Sequence, residues 1–483
     1  MPGGPPGADG RLADTVVVSN RGPLAFQFKD GRPVAGPVGG GLAGSLAPLL
    51  LGTGATWVAS TMEAADRQAS AEGLMVADGL RLEMVEPDPE VYSLAYNVVS
   101  NAALWFCHHH LFDAPRRPYN GRQWGEAWDA YRELNQQFAA RVAKVAPEGG
   151  RVLVQDYHLA LLGSELAGLR PDLRTVHFTH TPFADASVLR MLPTATTNEL
   201  LEGMAGFDAC GFHTARWAEA YGRANDELRP RHSSPEGAPH PSGSEPPTPR
   251  LFVSPLAPDP EELRQSVESS EVSRARDQLD ELIGADDRSV LVRVDRMELS
   301  KNLLRGFLAF DELLESEPHL RQRVVFLAMA YPTRESLAEY VGYRNEVEAL
   351  VDRVNERWAT DDWTPILLDV EDDYPRSLAA LTRADALLVN PIRDGLNLVA
   401  KEGPLVNRRD GVLLLSREAG AFEELGGPAL ELNPFDVAGT AAALAQALAM
   451  EPEERAGRAA ALRRLITARA PTDWLDDQLR AAG

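Results

Sequence analysis

Short apolar runs rich in β-branched residues recur along this chain, and each is followed by a stretch with helical periodicity. Such runs are typical of strands buried on both faces of a parallel sheet. Strands that alternate with helices predict an α/β fold, because a helix usually connects neighbouring parallel strands. The first series of predicted strands comprises residues 15–19, 55–59, 151–155, 175–179 and 251–256. The second series comprises residues 289–294, 324–328, 364–368, 386–390 and 412–416.

Two such series predict two doubly wound, Rossmann-like domains, since 483 residues are too many for one ordinary core. We place the domains at residues 15–256 and 257–465, after a flexible tail at residues 1–14. Residues 466–483 are expected to form a terminal helix that crosses back over the first domain. Residues 229–250 are rich in Pro, Ser and Gly, which predicts a flexible insertion. A cleft between the two domains would be a favoured place for a small ligand.

Composition and charge exclude several classes of protein. The formal net charge is −23, so we expect binding neither to nucleic acid nor to an anionic membrane. Cys107 and Cys210 are too few for a disulfide framework, and no Cys/His spacing predicts a metal. No cofactor is expected. Because no run approaches a membrane span and residues 1–14 lack an apolar signal region, we expect a cytoplasmic enzyme. The sequence does not fix the oligomeric state, and a homo-oligomer is compatible with it.

Residues 394–402 combine a glycine turn with two acids, directly after a predicted strand. Ligands of open α/β sheets bind outside the carboxyl ends of the strands. Gly395 permits close approach of the backbone, and the start of the following helix can face an anion. Asp394 and Glu402 are eight residues apart, about two helical turns, so both are expected to face one ligand. Carboxylates accept hydrogen bonds from sugar hydroxyls, so the segment predicts a sugar-nucleotide site.

A second candidate site follows the predicted strand at residues 289–294. Arg296 and Lys301 leave the end of this strand five residues apart. A guanidinium and an ammonium group together suit a diphosphate leaving group, whose developing charge they would stabilise. The alternative is a surface turn held by salt bridges, but the turn and residues 394–402 occupy the same half of the chain.

Seven short motifs occur in a characteristic order between residue 15 and about residue 425. They are Val18-Ser19-Asn20-Arg21, Gly40-Gly41-Leu42, Tyr96-Asn97 with Trp105, Asp156-Tyr157-His158, His180-Thr181-Pro182-Phe183, Arg296 with Lys301, and residues 394–402. Together they resemble the trehalose 6-phosphate synthase family of retaining glycosyltransferases. The resemblance implies a GT-B fold, with two Rossmann-like domains facing across a cleft. It also implies a reaction that moves glucose from a nucleotide sugar to glucose 6-phosphate, giving α,α-trehalose 6-phosphate.

The resemblance further implies roles for the matched residues in the first half of the chain. Asp156 would bind acceptor hydroxyls, and His180 would contact the donor sugar near the reacting centre. Gly40 and Gly41 would let backbone amides approach the donor phosphates and the acceptor. The acceptor and its phosphate would be held by Arg21, Tyr96 and Trp105, together with Arg334 from the second half of the chain.

The remaining donor contacts would come from the second half of the chain. Arg296 and Lys301 would take the diphosphate, and Asp394 would bind the glucosyl hydroxyls. Glu402 would bind the ribose. The backbone around the turn would contact the phosphates and the sugar, through Gly395, Asn397, Leu398 and Val399. The catalytic set implied by the resemblance is Arg296, Lys301, Asp394, His180 and Asp156.

No residue stands out as a covalent nucleophile. Asp394 is the candidate if a double displacement is required. The resemblance instead favours front-face retention, in which the leaving phosphate receives the proton of the acceptor.

The chain departs from the family's pattern at several places, which leaves the donor and acceptor preference open. Gln155 replaces a usual His before Asp156, and Ala184 replaces a usual Pro. The lysine turn has Glu298 and Asn302 where Asp and Gly are usual. Leu405 lies in a segment, residues 403–407, where a Tyr is usual.

Two alternatives remain at this point. A pseudo-glycosyltransferase of the validoxylamine phosphate synthase type also shows the Pro404-Leu405-Val406-Asn407 segment, although Asn20-Arg21 and Asp394-Gly395 keep the synthase form. A non-catalytic sugar-phosphate sensor is a different class, but a decayed site usually loses its charged groups. The nucleotide of the donor, GDP-glucose or UDP-glucose, is not fixed by the sequence.

Overall fold

A computed structural model describes residues 12–37, 41–72, 76–77, 80–118, 120–229, 248–284 and 288–483. The predicted tail therefore lies largely outside the described residues, as do Gly40 and most of the predicted insertion. The chain divides into two compact units. The first unit comprises Met1–Ser254 together with Pro471–Gly483, and the second comprises Pro255–Ala470.

The described part of the first unit is built around a sheet of mostly parallel strands. The described strands of this unit, including the separate hairpin of β2 and β3, are β1 (Thr15–Val18), β2 (Leu24–Lys29), β3 (Arg32–Pro37), β4 (Thr56–Ser60), β5 (Val76–Ala77), β6 (Leu80–Val85), β7 (Arg151–Gln155), β8 (Arg174–Thr179), β9 (Ala209–Phe212) and β10 (Arg250–Val253). Its helices before the unit boundary are α1 (Gly41–Leu50), α2 (Ala64–Ala71), α3 (Pro89–Ser93), α4 (Trp105–His108), α5 (Gln123–Val145), α6 (Leu162–Leu169), α7 (Ala186–Leu189), α8 (Thr194–Ala205) and α9 (Ala215–Leu228). A π-helix spans Leu94–Leu104 and a 3₁₀ turn spans Tyr157–Leu159.

The described part of the second unit contains a six-stranded, wholly parallel sheet flanked by helices. Its helices are α10 (Pro260–Val267), α11 (Ser270–Ile283), α12 (Leu303–Ser316), α13 (Ala338–Trp358), α14 (Tyr374–Arg383), α15 (Val399–Val406), α16 (Phe422–Leu425), α17 (Val437–Leu448) and α18 (Pro452–Ile466). Its strands are β11 (Ser289–Arg296), β12 (Val324–Tyr331), β13 (Ile366–Asp369), β14 (Ala386–Val389), β15 (Val412–Ser416) and β16 (Leu430–Leu432). Short 3₁₀ turns span Leu299–Lys301 and Pro318–Leu320. The last helix, α19 (Pro471–Ala481), belongs to the first unit.

The strand order of each sheet reverses direction once. In the first unit the order is β10-β9-β8-β7-β1-β4-β6-β5, so the chain starts at β1, builds one side, and then builds the other from β7. In the second unit the order is β13-β12-β11-β14-β15-β16, and the reversal falls between β11 and β14. Crevices at such reversals are where open α/β sheets bind their ligands. The loops that follow the strands on either side of each reversal carry predicted site residues.

The predicted strands are present because their apolar side chains fill the interior. Val16, Val17 and Val18 of β1 are fully buried, as expected for a strand covered on both faces. The α/β fold class is confirmed. The sequence interpretation missed the antiparallel hairpin of β2 and β3, and it missed β5, β6, β9 and β16. Among the described helices, none combines the length and the apolar character needed to cross a bilayer.

Candidate active site

The loops after three neighbouring strands of the first unit leave the same edge of the sheet. Strand β7 lies parallel to β1 on one side, with Val18 opposite Val154, and parallel to β8 on the other. Arg21 follows β1, Asp156 follows β7 and His180 follows β8. The parallel register thus gathers three predicted site residues that are far apart in sequence.

Asp156 and His180 are in direct contact. The Asp156 carboxylate accepts a hydrogen bond from the His180 backbone N–H at 3.2 Å. Asp156 has a positive φ of 70°, and its own N–H donates to the carbonyl of Phe178. A non-glycine residue in this conformation is uncommon and is held there by its surroundings, which is frequent at functional sites.

The His180 ring has a protein partner at each nitrogen. Nε2 lies 3.1 Å from Oε1 of Gln155, and Nδ1 lies 3.2 Å from Nε2 of His213. Burial, together with His213 and His177, holds the pKa of His180 well below its usual value, so the ring is neutral near pH 7. A sugar hydroxyl that bound a ring nitrogen would have to replace one of these bonds, which the sequence interpretation did not foresee.

A row of stacked rings lies beside these loops. Tyr96 stacks on Tyr92 with ring centroids 5.4 Å apart, and on His158 at 5.6 Å. The amide of Asn20 donates to the Tyr92 hydroxyl at 3.0 Å, which links the row to the loop after β1. Tyr96 lies in the π-helix Leu94–Leu104, and π-helical segments occur frequently at functional sites. Arg21, next to Asn20, is exposed.

Trp105 is buried, with 3% of its surface exposed, and its ring packs on that of His109 at a centroid distance of 4.3 Å. Its predicted contact with the acceptor remains a prediction. Gly41 is the first residue of α1, and Gly40 lies outside the described residues.

In the second unit, Lys301 and Asp394 meet at the reversal of the strand order. Lys301 follows β11 and Asp394 follows β14, and these strands are parallel neighbours. The Lys301 ammonium donates to Asp394 Oδ2 at 2.6 Å, with both side chains largely buried. Burial alone would lower the pKa of Lys301, but the carboxylates of Asp394 and Asp295 outweigh it and the net shift is upward. Lys301 therefore remains a cation at neutral pH.

Two predicted phosphate-binding arginines converge on one buried acid. Arg296 pairs with Glu298 at 2.9 Å, and Arg334 pairs with the other oxygen of Glu298 at 3.2 Å. Glu298 is 1% exposed, and it is the main cause of the raised pKa of Arg296. The Tyr340 hydroxyl accepts a further bond from Arg334 at 2.5 Å. Glu298 therefore fixes the distance between two cations, a role for which the only sequence signal was an acid two residues after Arg296.

A buried ion pair supports the turn that carries Lys301. Arg293 is fully buried, and it bonds both Asp295 Oδ2 at 2.8 Å and the Lys301 carbonyl at 2.9 Å. Sequence reasoning did not single out Arg293, because a charged residue in the middle of a strand gives no signal of its partner.

The backbone conformation of Asn302 explains why Asn can stand here where the family usually has Gly. It has a φ of 60° in the left-handed region, where Gly is usual and Asn is the next most tolerated residue. Its side chain donates to the carbonyls of Asn390 and Pro434, at 3.0 and 2.7 Å. The substitution preserves the turn and adds bonds that glycine lacks.

The expected helical spacing of Asp394 and Glu402 is wrong. Helix α15 begins only at Val399, so Asp394 lies in the preceding loop. Asn397, with a φ of 80°, bonds Asp394 Oδ2 through its amide and accepts from the Ala400 N–H, both at 3.1 Å. The periodicity argument failed because a turn with positive φ separates the two acids.

The rest of this loop is held by close backbone packing. Asp394 exchanges backbone hydrogen bonds with Glu418 and Gly420. A Cβ atom added to Gly420 would lie 2.0 Å from the backbone carbonyl oxygen of Gly395, so position 420 must lack a side chain. Leu398 and Val399 stand at the start of α15, where helical N–H groups have no intrahelical acceptor.

Glu402 lies in the first turn of α15 and is half-buried. Burial, with a smaller contribution from Glu262, raises its pKa to about 7. A carboxyl group with a pKa near 7 is unusual, and perturbed acids of this kind cluster at functional sites. Among the described residues, no group of three or more His, Cys, Asp or Glu side chains is placed to hold a metal ion.

The sequence and the fold both match known proteins along nearly the whole chain. The model of glycosyltransferase family 20 matches residues 13–482. A trehalose-6-phosphate synthase of Mycobacterium sp. (strain KMS) is 33% identical over 98% of this chain and 95% of its own. A solved structure described as trehalose-6-phosphate from E. coli bound with UDP-2-fluoro glucose superposes with a TM-score of 0.81 at 26% identity, covering 97% of this chain and 98% of the other.

An α,α-trehalose-phosphate synthase (UDP-forming) from Burkholderia xenovorans, solved in complex with glucose-6-phosphate, is 28% identical with a TM-score of 0.80. That similarity covers 97% of this chain and 99% of the other. The predicted resemblance and the GT-B fold class are thereby confirmed. This chain belongs to glycosyltransferase family 20.

Proposed function

We propose that this protein is a retaining glucosyltransferase that moves glucose from UDP- or GDP-glucose to glucose 6-phosphate, forming α,α-trehalose 6-phosphate. The observation that carries the proposal is the set of charged groups after β11 and β14. Lys301 and Arg296 supply two cations, and Asp394 supplies a carboxylate that accepts hydrogen bonds from hydroxyl groups. These are the groups that a glycosyl diphosphate requires. The names and ligands of the relatives support the same reaction.

The second unit would bind the donor. Lys301 and Arg296 would take the diphosphate, and Asp394 would bind the glucosyl hydroxyls. Glu402 would bind the ribose in its ionised form, because a carboxylate accepts from both hydroxyls without donating. The start of α15, with Leu398 and Val399, offers backbone N–H groups to the phosphates. Gly395 and Asn397 complete this set of donor contacts.

The first unit would bind most of the acceptor. Asp156 would accept from the hydroxyls of glucose 6-phosphate, and Tyr96 would bind its phosphate together with Arg21. The guanidinium of Arg334, a residue of the second unit, would be a further contact of that phosphate. Gly40, Gly41, Trp105 and His180 complete the proposed contacts.

Front-face retention is the mechanism that the family resemblance favours, and the bonding of Asp394 is compatible with it. The anomeric carbon loses its bond to the leaving phosphate oxygen and forms a bond to the acceptor oxygen on the same face. The acceptor proton passes to the leaving phosphate oxygen. Asp394 Oδ2 already accepts bonds from Lys301 and Asn397, which weakens it as a covalent nucleophile and suits it to hold hydroxyls.

The test measures nucleoside diphosphate release with UDP-glucose and GDP-glucose in parallel, with and without glucose 6-phosphate. Release that depends on glucose 6-phosphate, with a non-reducing disaccharide phosphate as product, is the expected result. Donor binding without release would instead support a sensor. Release only with a cyclitol phosphate acceptor would support the pseudo-glycosyltransferase. UDP-glucose is the first donor to test, because a relative from Dictyostelium discoideum is named as UDP-forming.

A further inference from the structure

The last helix, α19, reaches the loops that carry the acceptor site. It packs against β7 and β8 of the first unit. Gln478 of α19 and Gln155 at the end of β7 are both buried, and Gln155 Nε2 donates to Gln478 Oε1 at 2.8 Å. These two amides are 323 residues apart in sequence. Buried amides are costly unless they are bonded, and this bond satisfies the carbonyl of Gln478, whereas its Nε2 has no hydrogen-bond partner among the described residues.

The amide pair continues to the imidazole of His180. Because Gln155 gives its N–H to Gln478, it presents its carbonyl oxygen to His180 Nε2, which must then carry the hydrogen. Nδ1 of a neutral ring is then an acceptor, and it receives the N–H of His213 Nε2. An amide has distinct donor and acceptor ends, so the orientation of Gln478 is transmitted to His180.

We propose that Gln478 and Gln155 are positioning residues for the glucosyl transfer, which hold His180 as its Nε2–H tautomer in one ring orientation. This inference rests on the proposed function. His180 is coupled to the acceptor site because its backbone N–H donates to the carboxylate of Asp156.

Helix α19 also supplies the apolar surroundings of the ring. The centroid of Trp474 lies 5.5 Å from that of His180, and Phe178 packs at 5.0 Å. The titratable groups that face the ring are His213 and His177, and Asp156 lies at its backbone. Burial and the two histidines favour the neutral ring, which is the form that has a tautomer to select.

The experiment observes the His180 tautomer by NMR in full-length protein labelled with ¹⁵N in its histidine rings, alongside steady-state kinetics. Gln478→Leu should give a mixture of tautomers and lower kcat roughly 10- to 100-fold, the range for partners that orient a functional side chain. Its effect on KM for either substrate should be much smaller. Gln155→Leu should have the same effect on the tautomer and on kcat, because it removes the carbonyl oxygen that faces His180 Nε2.

Ser254→Ala is the matched control, because it removes the bond between Ser254 and Asp477 of α19 at 2.7 Å without touching the amide pair. It should leave the tautomer and kcat unchanged. An Nδ1–H tautomer in the wild type would overturn the inference, as would an equal loss of kcat in Ser254→Ala. If the wild type releases no diphosphate but Gln478→Leu still changes the tautomer, the proposed function fails while the hydrogen-bonded chain stands.

Discussion

Lys301 places a buried positive charge at the proposed diphosphate site of the second unit. It is a buried cation whose ammonium pairs with the Asp394 carboxylate at 2.6 Å, and a second carboxylate, Asp295, raises its pKa further. A cation held in this way costs no reorganisation when negative charge develops beside it, which is the main source of electrostatic catalysis. The contribution of Lys301 should therefore appear in the rate rather than in substrate binding.

We predict that Lys301→Ala lowers kcat by roughly 10²- to 10³-fold at saturating donor, because the lost interaction grows in the transition state. Steady-state diphosphate release measures the effect. Lys29→Ala, which removes an exposed lysine from β2, is the control and should keep kcat unchanged. Wild-type turnover by Lys301→Ala would remove Lys301 from the mechanism.

The raised pKa of Glu402 predicts that donor binding depends on pH. With a pKa of about 7, the carboxyl is mostly ionised above that pH and mostly protonated below it. Only the ionised form accepts from both ribose hydroxyls, so lowering the pH from about 8 to about 6 should weaken donor affinity by up to roughly tenfold.

Calorimetric titration of the donor at several pH values tests this dependence. The Glu402→Gln variant should bind the donor weakly, and its donor affinity should show no inflection near pH 7. An inflection that persists in Glu402→Gln would assign the titration to another group.

At the scale of the element, the turn between β11 and α12 depends on one left-handed residue. We predict that Asn302→Ala lowers the free energy of unfolding by about 2–4 kcal/mol, from the strained φ and two lost hydrogen bonds. Asn302→Gly also loses the bonds but accepts the φ of 60°, so it should lose less. Chemical denaturation compares the two, and equal losses would show that the backbone conformation contributes nothing.

The loop that carries Asp394 packs its backbone against Gly420. We predict that Gly420→Ala raises KM for the donor at least several-fold, because its Cβ would displace the Gly395 carbonyl and with it Asp394. Gly427→Ala is the control, since a Cβ there meets nothing within 4 Å. Unchanged donor kinetics in Gly420→Ala would mean that the loop adjusts without moving Asp394.

Local pattern was sufficient for buried strands with unbroken apolar runs, such as β12 and β15, but not for β9, a buried strand of four residues that includes Gly211. It was insufficient for the hairpin of β2 and β3, whose side chains are partly exposed and show no clear period. The site was predictable as a set of charged groups after strands. Its internal pairing was not, because Lys301 with Asp394 and Gln155 with Gln478 are contacts between residues distant in sequence.

At the scale of the whole molecule, the two units are unequal in how the chain builds them. The second is continuous in sequence, whereas the first requires Pro471–Gly483 as well as Met1–Ser254. Helix α19 contributes the fully buried Trp474 and the almost fully buried Leu475 to the first unit. Loss of this helix should therefore destabilise the distant half of the sequence rather than the adjacent half.

We predict that a chain ending at residue 470 shows faster amide hydrogen exchange in β7 and β8, while exchange in β11 and β12 stays unchanged. Mass spectrometry of peptic peptides measures both. Faster exchange confined to the second unit would contradict the division of the chain into these units.

The position of α19 also has a consequence for synthesis on the ribosome. The strands of the first unit emerge early, but the helix that completes their packing emerges after all of the second unit. At usual translation rates, the intervening residues take roughly 10 to 40 s to be made. During that interval the surface of β7 and β8 that later receives Trp474 is uncovered, so a nascent chain of this protein should be a client for chaperones until α19 has emerged.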